Sequence, residues 1–137
     1  MTLPETGVVL AVISVLTLSV VRGASSTADR AAVAQVQGAV LQAYRVAQTS
    51  ARTLGVPVEL VLAPDSIVVH ALGADSQSIR RRPGPHAFGV GLTPAGFATT
   101  YGPDGLAVGA GNITIVLVRG TVTRQIIVSR LGRVRLN

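Results

Sequence analysis

The 137-residue sequence contains no cysteine, no lysine and no tryptophan, and it has only four aromatic side chains. Without cysteine, neither a disulfide framework nor a thiolate metal site can form, so stability must come from packing. The scarcity of aromatic side chains argues against recognition of single-stranded nucleic acid by base stacking. A chain of this length closes one modest core, which excludes a multidomain arrangement.

Acidic residues are also few: six acids stand against twelve basic residues, all arginine, for a net charge of +6. A bias of genome or growth temperature would explain arginine in place of lysine, but it would not explain clustering. The last seventeen residues up to Arg135 carry no acid and hold Arg119, Arg124, Arg130, Arg133 and Arg135. This asymmetry predicts an anionic partner or surface.

Residues with catalytic chemistry are scarce as well. His70 and His86 are the only histidines, they stand apart, and no motif of paired carboxylates accompanies them. His70 lies in a β-type run and is expected to be a packed residue rather than a base or ligand. The glycine-rich segments 89–91 and 109–111 are too short for phosphate loops. We therefore predict no enzymatic activity, no catalytic residue, no metal site and no cofactor.

The N-terminal segment is apolar. Residues 6–21 carry no charge, and with residues 1–5 they reach the length that spans a bilayer as a helix. A secretory signal peptide would place basic residues before the apolar run, whereas here Glu5 precedes it and Arg22 follows. Residues 23–26 are small enough to imitate a cleavage site, so the signal-peptide interpretation stays open. Residues 3–7 read LPETG, a sortase pentapeptide, but a sorting signal belongs at the C-terminus.

Helical periodicity continues beyond this segment. Apolar residues recur at spacings of three and four, with Tyr44 beside them, at Val33, Val36, Val40, Ala43, Ala47, Ala51 and Leu54. Polar residues off this stripe, including Arg45 and Gln48, should face solvent or other subunits. Gly55 and Pro57 are expected to end the helix. A helix of about fifty residues would be about 75 Å long, which suggests a fibre component.

The rest of the chain reads as short strands separated by turn signals. Strand-like runs cover 56–63, 66–72, 88–92, 112–119 and 122–129. The first two and the last two runs are expected to form hairpins, and residues 73–87 are expected to form an exposed loop. The predicted fold class is therefore α+β, with a long N-terminal helix packed on one antiparallel β-sheet or on two small ones.

Met1-Thr2-Leu3-Pro4-Glu5 followed by an apolar helix resembles the mature N-terminus of type IV pilins and pseudopilins. The resemblance implies a pilin fold, with residues 1–27 as a transmembrane and assembly helix. Residues 28–137, here called the head, would be periplasmic or extracellular, with a helix over 28–54 and a β-rich region over 56–136. Pro4 departs from the more common Ile or Val but costs little in a first helical turn.

In the pilin family the residue matching Glu5 pairs with the N-terminal amine of a neighbouring subunit. The resemblance implies that role for Glu5, and it implies that Met1 is N-methylated after a peptidase removes a basic leader. A carboxylate within hydrocarbon needs such a partner. The alternative is a Glu5 solvated at the interface near the positive helix end. Arg22 would favour a cytoplasmic head by the positive-inside rule, and the removed leader is what reverses this orientation.

The C-terminal segment, Val128-Ser129-Arg130-Leu131-Gly132-Arg133-Val134-Arg135, resembles the Val-Ser-x-x-Gly-Arg-x-Arg ending of GspH/FimT minor pilins. In FimT-like members, Gly-Arg-x-Arg is associated with DNA binding, which implies that role for Gly132, Arg133 and Arg135. Residues two apart in an extended segment project to the same side, so both arginines can contact successive phosphates. Gly132 would let the backbone turn or approach DNA closely.

Other arginines could extend this patch, namely Arg130, Arg124 and Arg119. Arg80, Arg81 and Arg82 could form a second basic patch or simply be solvated. The expected partners are other pilin subunits, the inner membrane before assembly, and double-stranded DNA bound through its backbone without sequence preference. The same ending occurs in type II secretion pseudopilins, where it forms only the last strand.

Together these features predict a minor pilin at a pilus tip that binds extracellular DNA for natural transformation. Its location would be the inner membrane as a single-pass protein, and then the extracellular pilus. The alternative is a structural pseudopilin of a type II secretion system, or a subunit that primes pilus assembly without binding DNA.

Overall fold

One long helix dominates the structure, a computed structural model that describes residues 3–73, 76–109, 111–129 and 131–137. Helix α1 runs without interruption from Leu3 to Leu54, 52 residues. At 1.5 Å per residue it is about 78 Å long. Gly55 ends it in the left-handed conformation, with φ of 65°, and donates its N–H to the Ala51 carbonyl at 3.0 Å. The predicted long helix and its stop are therefore confirmed.

The apolar stripe of the helix packs as its spacing predicts. Seven of its residues and the adjacent Tyr44 were expected to face the sheet, and all except Leu54 are at most 4% exposed. Leu54 is 55% exposed, so its predicted burial is wrong. It is the last helical residue, directly before the chain turns at Gly55 towards the first strand. All core residues found among the described positions lie between Val33 and Val128, within the head.

Within the described residues, nine strands form two antiparallel sheets beside the helix. The strands are β1 (Val58–Leu62), β2 (Ser66–Ala71), β3 (Ser78–Pro83), β4 (Gly91–Thr93), β5 (Phe97–Tyr101), β6 (Ala107–Val108), β7 (Ile113–Arg119), β8 (Val122–Val128) and β9 (Val134–Leu136). The first sheet has the order β3-β2-β1-β5-β6 and the second has the order β4-β7-β8-β9. The predicted hairpins are confirmed as β1–β2 and β7–β8.

Two local predictions are wrong. The segment expected to be an exposed loop contains strand β3, whose Arg80 and Arg82 pair with the buried Val69 and Ile67. On an edge strand, the long apolar stems of arginine can lie along apolar surface while their charged ends reach water. Arginines can therefore occupy inward-facing positions, and the sequence then lacks the alternation of apolar and polar residues that is expected of a strand. The predicted strand over 88–92 is instead the end of a 3₁₀ helix, Pro85–Phe88, followed by the start of β4.

The core between helix and sheets contains both tyrosines of the sequence. The Tyr44 and Tyr101 rings meet edge to face, with centroids 6.4 Å apart and planes at 83°. Burial raises the pKa of Tyr101 to about 12 and raises that of Tyr44 further. Both rings therefore belong to the buried core, and their hydroxyls are neutral at physiological pH, as an ordinary tyrosine hydroxyl also is.

Candidate nucleic-acid interface

The turn that joins β8 to β9 is built by the C-terminal motif. The Gly132 N–H bonds the Ser129 carbonyl at 2.8 Å, and the Ser129 N–H bonds the Arg133 carbonyl at 2.7 Å. The Ser129 hydroxyl accepts the Arg133 N–H at 3.1 Å. The serine, glycine and first arginine of the motif therefore close one tight hairpin. Arg130 lies outside the described residues.

Gly132 is required in this turn for two separate reasons. Its φ is 73°, in the left-handed region that favours glycine. An added Cβ would lie 2.9 Å from Cε1 of Tyr101, a ring that is itself fully buried. The sequence suggested a turn or a close approach to DNA; the structure places Gly132 in a turn and against the core.

The hairpin brings Arg133 and Arg135 to an open edge of the second sheet. Strand β9 pairs only with β8 among the described strands, and the register sets Arg135 opposite Ile127. Both arginines are exposed. With the exposed Arg45 of helix α1, they line a cleft of about 390 Å³ between the helix and the strand, which also contains Leu41, Tyr44, Gln48, Gly132 and Val134.

Arg124 lies on the other face of the sheet from Arg135. It is opposite the buried Leu117 in the β7–β8 register, so it shares the face that packs on the helix. It is exposed, and with Arg30 of α1 it lines a second cleft of about 480 Å³, together with Ala34, Gln37, Val122, Leu136 and Asn137. Its neighbourhood is therefore the helix and the end of β9.

Arg119 has a structural partner. Its Nε donates to Oδ1 of Asp29 at 2.8 Å, and its guanidinium also donates to the Phe88 carbonyl. This links the helix to the end of β7, with both charged side chains partly buried. A guanidinium used in this way has fewer N–H groups left for a phosphate.

Arg30 and Arg45 were not predicted to belong to the basic surface. The sequence pattern placed Arg45 only on the polar side of the helix and gave no role to Arg30. The signal was present in the sequence, because positions 30, 34, 37, 41, 45 and 48 recur at spacings of three and four beside the buried stripe. These helix positions form a common surface with Arg133 and Arg135 only because β9 lies next to them in the folded chain.

The N-terminal half of α1 presents apolar side chains to the outside. Its exposed residues include Val8, Leu10 and Val15, each at least 60% exposed. Glu5 lies in the first helical turn, and Met1 lies outside the described residues. In the part of the chain that the structure describes, no helical segment combines the length and apolarity that a membrane span requires.

Each of the two histidines contacts a carboxylate side chain. His70 and Glu59 face each other across β1 and β2, with Nε2 and Oε2 at 2.8 Å, and His86 contacts Asp65 at 3.3 Å. Among the described residues, no group of three or more side chains could hold a metal ion. Arg81 is exposed on β3, at the edge of the first sheet.

Comparisons with known proteins identify the architecture. The minor type IV pilin FimU of Pseudomonas aeruginosa, in two crystal forms, superposes with TM-scores of 0.56 and 0.57. The alignments cover 75% and 79% of this chain and 88% and 91% of the FimU chains, at 16% sequence identity. The chain has the fold of a type IV pilin. The predicted α+β fold is confirmed. No family model matches the sequence, and no curated protein gives a significant match.

Proposed function

We propose that the chain is a minor pilin of the GspH/FimT branch that binds the backbone of duplex DNA through Arg133 and Arg135. One observation supports this choice above the others: both arginines are exposed at the open edge of the second sheet, Arg135 in β9 and Arg133 in the turn directly before it. Of the described acids, none lines either cleft beside that strand. Phosphates can therefore approach both guanidinium groups without repulsion from an acidic side chain of the cleft.

The subunit would enter a pilus through helix α1. Before assembly its apolar N-terminal half would lie in the inner membrane as a single pass, with residues 28–137 as the external head. After assembly the chain would lie in the extracellular fibre, at the tip, where the head can reach DNA taken up in transformation. Support comes from the exposed apolar side chains of α1 and from the fold shared with FimU.

A test of DNA binding uses the full-length chain in non-ionic detergent with unrelated 30-base-pair duplexes at several salt concentrations. Two phosphate contacts predict that log K falls against log salt with a slope of at least about −1.8, equally for each duplex sequence. Absence of binding at low salt would contradict the DNA claim. A preference of one sequence over another by more than a few fold would contradict backbone recognition.

Removal of the Glu5 charge tests assembly separately. In cells that produce the pilus, Glu5→Gln is expected to lower the amount of chain in sheared pili at least about tenfold. Loss of about 1.4 kcal/mol of interaction between Glu5 and the neighbouring subunit is enough to reduce the equilibrium constant for incorporation tenfold. The loss follows from removing the carboxylate that would face the N-terminal amine of a neighbour. Glu59→Gln, which removes an acid from strand β1, is the control. Equal incorporation of both variants would contradict the assembly role of Glu5.

A structural role without DNA binding is the second candidate. The observation that favours it is the position of Arg133 and Arg135 beside an unpaired strand edge, because charges there prevent edge-to-edge association of sheets. On this alternative the chain would be a secretion pseudopilin or a priming subunit. It predicts that removing both charges causes the chain to self-associate while DNA affinity is absent in the parent protein.

A further inference from the structure

The two clefts beside β9 follow one another along the same helix and the same strand. Residues 30–37 of α1 line one cleft and residues 41–48 line the other. Strand β9 runs in the opposite direction, so that Leu136 and Asn137 lie in the cleft beside residues 30–37, and residues 132–135 lie in the cleft beside residues 41–48. We call these two clefts together the α1–β9 track.

The track carries arginine on both of its walls. Arg30 and Arg45 belong to the helix and Arg124 to the sheet face that packs on it, whereas Arg135 lies on the opposite face of the sheet. The two groups therefore flank the open edge of β9, and all of these side chains, with Arg133 in the turn before β9, are exposed. The helix arginines are fifteen positions apart, which corresponds to about 22 Å along the helix axis. One strand of B-DNA places a phosphate about every 3.4 Å of axial rise, but it also winds around the axis, so fewer than about six phosphates face this length.

The strand edge adds neutral donors to the same track. Gln125 and Asn137 exchange both backbone hydrogen bonds, at 3.2 and 3.0 Å. Because such exchanging pairs alternate along an antiparallel ladder, the backbone groups of Val134 and Leu136 face away from β8. Backbone N–H groups are common partners of phosphate oxygens. Their two N–H groups therefore lie at the open edge between the arginine walls.

We propose that one phosphodiester strand of a DNA duplex lies along the α1–β9 track, held by Arg30 and Arg45 of the helix as well as by Arg124, Arg133 and Arg135. This inference rests on the proposed function and adds a second wall to the site. The only aromatic side chain in the track is Tyr44, which is 2% exposed and cannot stack on a base. The track therefore recognises a backbone, and a duplex binds at least as well as a single strand.

The double variant Arg30→Gln with Arg45→Gln tests this wall in the full-length protein in non-ionic detergent. Its matched control, Arg81→Gln with Arg82→Gln, removes the same charge from strand β3 of the other sheet. Dissociation constants for a 30-base-pair duplex are measured at several salt concentrations. Five phosphate contacts predict a parent slope near about −4.5, and loss of two predicts a slope shallower by about 1.8. Affinity at low salt is expected to fall about tenfold in the helix variant, whereas the control stays within about twofold.

The possible results separate this inference from the proposed function. A helix variant that equals its control while the parent still binds DNA would overturn the second wall alone. A parent protein that binds no duplex would overturn the proposed function and the track together. Tighter binding of a 30-nucleotide single strand than of the duplex would contradict recognition through one duplex strand. Binding of a polyglutamate peptide, but not of DNA, with loss in the helix variant would assign the track to an acidic polypeptide strand instead.

Discussion

Replacing Arg133 and Arg135 together by glutamine is expected to lower the affinity of the full-length chain for duplex DNA about 30- to 100-fold at low salt. Each guanidinium supplies a charge-assisted hydrogen bond to a phosphate, worth about 1.5 kcal/mol when partly exposed. Removal of two such contacts costs about 3 kcal/mol at most, which corresponds to roughly 100-fold. The slope of log K against log salt should become shallower by about 1.8. A fluorescence-anisotropy titration at several salt concentrations measures both quantities.

Two further variants serve as controls for this measurement. Arg81→Gln with Arg82→Gln removes equal charge from the edge of the other sheet, so an equal loss there would show that affinity follows net charge alone. Arg119→Gln removes a guanidinium that bonds Asp29 and the Phe88 carbonyl. It is expected to lower stability and to leave the salt slope unchanged, because that side chain is held by the head itself. Size-exclusion chromatography of each variant shows whether loss of edge charge also causes self-association.

Helix α1 shows what periodicity can predict. The spacing of its valines and alanines predicted a buried face, and Val33, Val40 and Ala47 are fully buried. Such a pattern is local, because residues three and four apart share a face whatever they pack against. Leu54 fits the same spacing and is exposed, because burial also depends on whether the sheet extends to that turn of the helix.

The strands show where local patterns fail. Strand β5 lies between β1 and β6 in the first sheet, but its sequence, Phe97-Ala98-Thr99-Thr100-Tyr101, lacks an apolar alternation and was not predicted. Strand β3 has consecutive arginines and was interpreted as a loop. Each strand is fixed by pairing that composition does not reveal: β5 pairs with β1, which is distant in the sequence, and β3 pairs with the preceding strand β2 although its own residues lack a strand pattern.

The basic surface was predictable only in part. The hairpin arginines follow a motif, so Arg133 and Arg135 were identified from the sequence. The pairing registers of β8 with β7 and with β9 place Arg124 on the sheet face that packs on the helix and Arg135 on the opposite face. Such registers cannot be derived from the local sequence. Arg30 and Arg45 are 79 or more positions before Arg124, as the numbering shows, and only the packing of α1 beside β9 brings them to one surface.

Gly132 gives the second large effect, because two costs of substitution coincide there. Gly132→Ala is expected to lower the free energy of unfolding of the head by about 2–4 kcal/mol. A left-handed backbone costs an L-residue about 1–2 kcal/mol. The new Cβ must also displace the buried Tyr101 ring, which would otherwise lie only 2.9 Å away. Because both tyrosines pack in this core, near-ultraviolet circular dichroism during denaturation reports its unfolding.

Gly109→Ala separates the two costs. Gly109 has nearly the same φ, 75°, but beyond its chain neighbours no atom of the described residues lies within 4 Å of an added Cβ. It is expected to lose only about 1–2 kcal/mol, so the difference between the two variants measures the contact with Tyr101. If Gly132→Ala is no less stable than Gly109→Ala but loses DNA affinity, the packing explanation is wrong. Gly132 would then be needed because it lets DNA approach the backbone closely. It would not be needed for the folding of the hairpin that presents Arg133.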